Sequence, residues 1–118
     1  MQIERVDFVS LPTRDLERAK QFYGEVLGLP SHSYSPNDFE TSNVTLELWE
    51  PEEQGVPFEP NTNGVALRVP DVEAAVEELG QAGAEIMGVR DSGVCQMGFV
   101  KDPDGNVLIL HRRYAPFE

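Results

Sequence analysis

The sequence contains a single cysteine, Cys95, among its 118 residues. An intrachain disulfide is therefore excluded, and a reducing compartment fits the chain. No apolar run approaches the length needed to span a bilayer. The first residues, MQIERVDF, lack the basic and apolar regions of a secretory signal peptide. Together these absences predict a cytoplasmic protein that is not embedded in a membrane.

Positive charge is also scarce. The sequence has nine Lys and Arg residues and 21 Asp and Glu residues, which gives a formal net charge of -12. Binding to nucleic acid or to an anionic membrane surface needs clustered basic residues, so neither partner is expected. The hydrophobic content of 40% and charged content of 25% are ordinary for a globular domain. A chain of this length predicts one domain that folds without a disulfide or metal.

The two halves of the sequence follow the same plan. Each half opens with alternating apolar residues, reaches an aspartate (Asp15 or Asp71), and continues with apolar residues at helical spacing. Each aspartate is expected to cap the helix that follows, because its carboxylate can accept from free backbone N–H groups of the first turn. Gly28 and Gly83 stand where each helix is expected to end.

Short strands are expected after each helix. In the second half they are AEIMGVR, VCQMGFVK and NVLILHRR, and the turn Lys101–Asn106 predicts a hairpin between the last two. In the first half VTLELWE is the clear strand, and HSYSPNDFETS is expected to hold two weaker ones. The pattern predicts module one at about residues 3–53, a linker at about 54–63 and module two at about 64–114, within one domain that spans residues 1–118.

Two groups of residues resemble the motifs of a known family. The first group lies around the first helix: Asp15, Ala19, Phe22, Tyr23 and Leu27-Gly28-Leu29. The second is the run FVKDPDGN at residues 99–106. Both are similar to motifs of the vicinal oxygen chelate superfamily, which comprises glyoxalases, bleomycin resistance proteins and extradiol dioxygenases. The resemblance implies an α+β fold in which tandem βαβββ modules form a curved mixed sheet around a cavity.

The resemblance also implies four inward-facing positions that hold metal ligands in the metal-dependent members. Those positions are Phe8, Glu47, Gly64 and Ile109 in this sequence. Only Glu47 can bind a divalent metal, and one carboxylate does not make a transition-metal site. No cofactor is therefore expected at the usual place.

A shifted metal site is the alternative. Residues two apart on a strand share a face, so His111 is expected on the same face as Ile109. Glu47 and His111 could then bind a divalent metal, with a third ligand such as His32 or Cys95. A register slip of one residue would turn His111 outward.

Other side chains are expected to line the cavity and bind a ligand: Phe8, Ser10, Trp49, Arg68, Ile109 and His111. The planar guanidinium group of Arg68 would bind an anionic ligand. Alternatively, Arg68 would face solvent or pair with Glu47. Glu47 is either a general base in a dry cavity or a carboxylate held by Arg68 or a backbone amide. Phe8 could instead fill the cavity.

The leading hypothesis is therefore a small-molecule binding protein, in which a small organic ligand, anionic or aromatic, occupies the cavity without the usual metal centre. One alternative is a metal-dependent lyase, isomerase or dioxygenase that uses the shifted site. Another is a metal-free enzyme with Glu47 as its general base. The resemblance also implies a homodimer, because the modules of this superfamily pair within or between chains.

Overall fold

Both halves of the chain fold as β-α-β-β-β runs in the computed structural model, which describes residues 1–117. The chain divides into two compact units, of which the first comprises Met1–Pro60 and the second begins at Asn61. The first unit contains β1 (Phe8–Pro12), α1 (Leu16–Gln21), β2 (Ser31–His32), β3 (Ser35–Glu40), β4 (Thr45–Trp49) and a short 3-10 helix (Pro51–Gln54). The second contains β5 (Val65–Arg68), α2 (Val72–Gln81), β6 (Glu85–Asp91), β7 (Cys95–Lys101) and β8 (Val107–Arg113).

Each unit builds one four-stranded mixed sheet. The strand order is β1-β4-β3-β2 in the first unit and β5-β8-β7-β6 in the second. In both sheets the first strand runs parallel to the last, and the remaining pairs are antiparallel. The predicted α+β fold of tandem βαβββ modules is confirmed. Of the two weak strands expected within residues 32–42, β3 lies inside that range, whereas β2 begins one residue before it.

Both helices begin at the predicted aspartates. The Asp15 carboxylate accepts a hydrogen bond from the Arg18 backbone N–H at 3.1 Å, and the Asp71 carboxylate accepts one from Ala74 at 3.0 Å. A negative charge at this position also complements the helix dipole. Gly28 follows the first helical segment with φ +72°, a conformation that costs glycine little. The predicted helix starts and the first stop are therefore confirmed.

The first helix differs from the expected α-helix in its second half. Residues Phe22–Val26 form a π-helical turn, in which the Leu27 backbone N–H donates to the Phe22 carbonyl oxygen at 2.9 Å. Phe22 and Tyr23 are both buried, and their rings meet edge to face with centroids 5.2 Å apart. The wider turn accommodates two consecutive aromatic side chains in one core.

A close backbone approach fixes how α2 packs in the second unit. Gly98 on β7 lies under α2, and a Cβ atom at this position would overlap Val76 Cγ2 and lie 3.3 Å from Val72 Cγ1. The buried residues Val100, Leu108 and Leu110 share this side of the sheet. The second unit's core therefore lies between α2 and one face of its sheet. Among residues 1–117, no helix combines the length and apolar character that a membrane span requires.

Candidate functional site

The predicted site residues of the first unit share one face of its sheet. Leu11, Leu46 and Leu48 are buried on the side of α1. Because side chains alternate along a strand, residues one position away point to the opposite side, which we call the helix-distal face. The structure brings four predicted site residues together on that face: Phe8, Ser10, Glu47 and Trp49. The Phe8 side chain is 51% exposed and therefore does not fill the interior of its own unit.

Glu47 lies at the centre of this face with other carboxylates beside it. It pairs in register with Ser10 on one side and with Asp38 on the other. Directly opposite residues of antiparallel strands have Cβ atoms about 4.5–5.5 Å apart, so the two carboxylates are close neighbours. Asp38 accepts a hydrogen bond from Ser35 Oγ at 2.6 Å. Within the described part of the first unit, Glu47 has neither a hydrogen bond nor an ion pair through its carboxylate, so its oxygens are available to accept a proton or a donor.

A second polar group lies next to Glu47 on the same face. Thr45 Oγ1 donates to Glu40 Oε1 at 2.7 Å, and His32 Nε2 lies 3.5 Å from the same oxygen. The His32 ring also stacks on Tyr34, with centroids 4.9 Å apart. His32 is thus engaged with Glu40. Sequence reasoning missed Asp38 and Glu40, although their spacing on either side of buried Phe39 predicts a common face.

In the second unit the register places Arg68 beside His111. The pairs Ala66–Ile109 and Arg68–His111 join β5 to β8, while the neighbouring residues Leu108 and Leu110 are buried towards α2. Paired strands lie about 4.8 Å apart. The Arg68 and His111 side chains therefore lie side by side on the face of the second sheet that points away from α2. Ile109 and His111 therefore share a face, as the sequence predicted. Arg68 is exposed and lies on an edge strand.

Arg68 and His111 open into a cavity of about 210 Å³. We call it the basic cavity, and its lining consists of Arg68, His111, Arg112, Arg113, Ala115 and Phe117. It gathers three of the nine Lys and Arg residues of a chain whose net charge is -12. In the described second unit, the side chains of Arg68, His111 and Arg112 form no ion pair or hydrogen bond. The cavity therefore presents positive charge and unused N–H donors to an incoming ligand.

Four lining residues of the basic cavity were missed by sequence reasoning. They come after His111 in the run HRRYAPF, which sequence reasoning treated as the end of a strand and a tail: Arg112, Arg113, Ala115 and Phe117. The consecutive basic residues were the available signal. A larger hollow of about 560 Å³ lies in the first unit between Arg5, Val6 and residues 40–45, and it contains none of the predicted site residues.

The residues at the implied metal positions do not fit a metal centre. Phe8, Gly64 and Ile109 carry no donor atom in their side chains, and only Glu47 does. Gly64 has φ +95°, and a Cβ atom there would lie 2.8 Å from Ile109 Cδ1. A ligating side chain at position 64 is therefore absent, and the positive φ would strain one placed there. Within the described part of each unit, no three His, Cys, Asp or Glu side chains lie close enough to hold a metal ion.

Comparison with known proteins adds a family match. A family model described as Glyoxalase/Bleomycin resistance protein/Dioxygenase superfamily matches residues 5–110. The search of curated proteins found no match.

The fold is similar to several solved structures. TnmS3, an antibiotic binding protein from Streptomyces sp. CB03234, is 26% identical, with a TM-score of 0.76 and coverage of 97% of this chain and 99% of that one. A superfamily member from Sphaerobacter thermophilus is 21% identical, with a TM-score of 0.77 and coverage of 92% and 97%. A lactoylglutathione lyase from Agrobacterium tumefaciens is 18% identical, with a TM-score of 0.71 and coverage of 93% and 94%. The last two likenesses concern the fold alone.

Proposed function

Because this chain belongs to the glyoxalase/bleomycin resistance protein/dioxygenase superfamily, we propose that it binds a small organic anion and does so without a metal centre. The observation that carries the proposal is the Arg68–His111 pair at the basic cavity. A guanidinium group matches a carboxylate with two parallel N–H···O bonds, and an imidazole N–H adds a third donor. Arg112 and Arg113 add positive charge without forming part of that pair.

The size of the basic cavity limits the ligand. Pockets for drug-sized ligands span roughly 300–1,000 Å³, and the basic cavity holds about 210 Å³. A single ring with one acidic group therefore suits it better than a large polycyclic molecule. The similarity to an antibiotic binding protein supports binding of an organic molecule in general. The absence of donor atoms at Phe8, Gly64 and Ile109 supports binding without a metal.

A titration with benzoate, followed in two-dimensional amide NMR spectra, tests the proposal. Arg68→Met keeps much of the side-chain volume and removes the charge. Losing a charge-assisted hydrogen bond costs about 1.5–3 kcal/mol, so the Kd should rise about 10- to 100-fold. Arg18→Met is the matched control, because Arg18 is exposed on α1 of the first unit and the variant loses the same charge. Equal losses in both variants, or no saturable shift in wild type, would contradict the proposal.

A metal-free enzyme is the second candidate, and the environment of Glu47 favours it. Its carboxylate has no partner within the described first unit and lies opposite Asp38. A carboxylate placed in this way can take a proton from a carbon next to a carbonyl group. This candidate predicts that wild type, and not Glu47→Gln, exchanges the methyl protons of pyruvate with solvent deuterium. Equal exchange in both proteins would eliminate Glu47 as the base.

The metal-dependent alternative with Glu47 and His111 stays a prediction, and so do the homodimer and the cytoplasmic location. Elemental analysis of protein grown with zinc, nickel, iron and manganese tests the metal. Stoichiometric metal that disappears in both Glu47→Ala and His111→Ala would replace the metal-free proposal. Sedimentation equilibrium at several concentrations tests the homodimer.

A further inference from the structure

The segment Tyr114–Phe117 folds back after β8 and forms one wall of the basic cavity. The backbone N–H groups of Tyr114 and Ala115 both donate to the Val94 carbonyl oxygen, at 3.0 Å and 3.2 Å. The Tyr114 hydroxyl donates to Asp91 Oδ1 at 2.8 Å. These bonds join the segment to the turn between β6 and β7. Ala115 and Phe117 therefore line the cavity from an anchored segment.

Arg113 holds the end of this segment. Its Nη2 donates to the Pro116 carbonyl oxygen at 3.2 Å, and its guanidinium carbon lies 4.0 Å from the centroid of the Phe117 ring. A guanidinium group over an aromatic face is attracted by the ring electrons. The Arg113 Nε atom is buried and has no hydrogen-bond partner within residues 1–117. One N–H donor beside the cavity is thus without a hydrogen-bond partner among the described residues.

The Phe117 ring is an unusual wall for a basic cavity. It is 86% exposed although it is apolar, since its contact with Arg113 covers little of its surface. A flat ligand that stacks on the exposed part of this ring would bury apolar surface on both partners. A puckered aliphatic ring of the same charge cannot lie flat against it.

We infer that Phe117, placed on the Arg113 guanidinium by the folded-back segment, selects anions with a flat aromatic body over aliphatic anions of the same charge. This inference rests on the proposed function, because it assigns the ligand class of the same cavity. Arg68 and His111 contact the acidic group, and Phe117 contacts the ring. Selectivity and basal anion binding thus depend on different residues.

The test compares benzoate with cyclohexanecarboxylate, which carries the same charge on a puckered ring. Wild-type protein should bind benzoate about fivefold more tightly, which corresponds to the roughly 1 kcal/mol of an aromatic pair. Phe117→Leu keeps an apolar side chain but removes the flat ring, and it should abolish the preference. Tyr34→Leu is the matched control, since Tyr34 is an exposed aromatic residue of the first unit.

The outcomes separate the inference from the function on which it rests. If Arg68→Met weakens both anions and the preference disappears only in Phe117→Leu, both are supported. If Arg68→Met weakens both anions and the preference is absent in wild type or survives in Phe117→Leu, the inference alone is wrong. If neither anion binds to wild type, or if Arg68→Met changes neither Kd, the proposed function and the inference are both overturned. A preference lost equally in Tyr34→Leu would also contradict the inference.

Discussion

Replacing Asn106 with alanine should destabilise the protein more than the same replacement of an exposed asparagine. Asn106 is fully buried and joins two segments that are distant in sequence. Its Nδ2 donates to Asp102 Oδ2 at 2.8 Å, and its Oδ1 accepts from the Asn61 backbone N–H at 2.8 Å. The Asp102 side chain is itself buried, at 5% exposure. Alanine would therefore remove one hydrogen bond to a carboxylate and leave a backbone donor without its partner.

The size of the loss follows from these two bonds. A hydrogen bond to a charged group contributes about 1.5–3 kcal/mol, and an orphaned donor costs about 1–3 kcal/mol. Asp102 keeps the backbone N–H groups of Asp104 and Asn106, both at 2.9 Å, and this moderates the loss. We expect the free energy of unfolding to fall by about 3 kcal/mol. For a chain of this length the Tm should fall by about 12 °C.

Urea and thermal unfolding of wild type and Asn106→Ala measure this loss, provided that both transitions are two-state. Asn43→Ala is the control, because Asn43 is exposed in a loop and its Oδ1 accepts from the Thr41 hydroxyl at 3.2 Å. Its free energy of unfolding should change by less than about 0.5 kcal/mol. A loss below about 1 kcal/mol in Asn106→Ala, with an unchanged m-value, would contradict the stabilising contribution assigned to the buried Asn106 hydrogen bonds.

Two further predictions concern the second unit. Gly98→Ala should lower the free energy of unfolding by about 1–3 kcal/mol, because the new methyl group would overlap Val76. Gly80→Ala lies within α2, where a Cβ atom would make an ordinary van der Waals contact with Ile86 Cγ1 at 3.6 Å. It should instead raise the free energy of unfolding by up to about 1 kcal/mol, and urea unfolding measures both variants. The Gly93 backbone N–H and the Tyr114 hydroxyl hold the pKa of Asp91 below its ordinary value, while the same bond to Asp91 raises the pKa of Tyr114. The contribution of Asp91 to the free energy of unfolding should therefore be present above pH 3.8 and be lost as the pH falls through its lowered pKa. The contribution of Tyr114 should be present below pH 10.0 and be lost as the pH rises through its raised pKa. In Tyr114→Phe, a carboxyl-carbon NMR titration should move the pKa of Asp91 upward but keep it below 3.8, since the Gly93 bond remains; an unchanged pKa would contradict the assigned hydrogen bond.

Signals within a few residues were sufficient to predict most elements of the fold. Asp15 and Asp71 mark helix starts because a capping carboxylate acts on N–H groups only three residues away. The run at 101–106 forms the predicted turn because Asp102 accepts from the backbone of residues two and four positions later. The π-helical turn at Phe22–Val26 was missed, because it depends on the space that the core provides for two adjacent aromatic rings.

Part of the candidate site could likewise be predicted from the sequence, and part could not. The sequence alone is enough to assign Phe8, Gly64 and Ile109 to the usual ligand positions, and strand alternation predicts that Ile109 and His111 share a face. The folded chain was needed to show that Arg113 and Phe117 join His111 around one cavity. The reason is that the hydrogen bonds which turn the last residues back are made to Asp91 and Val94, about twenty positions earlier, and no local pattern specifies a contact over that distance.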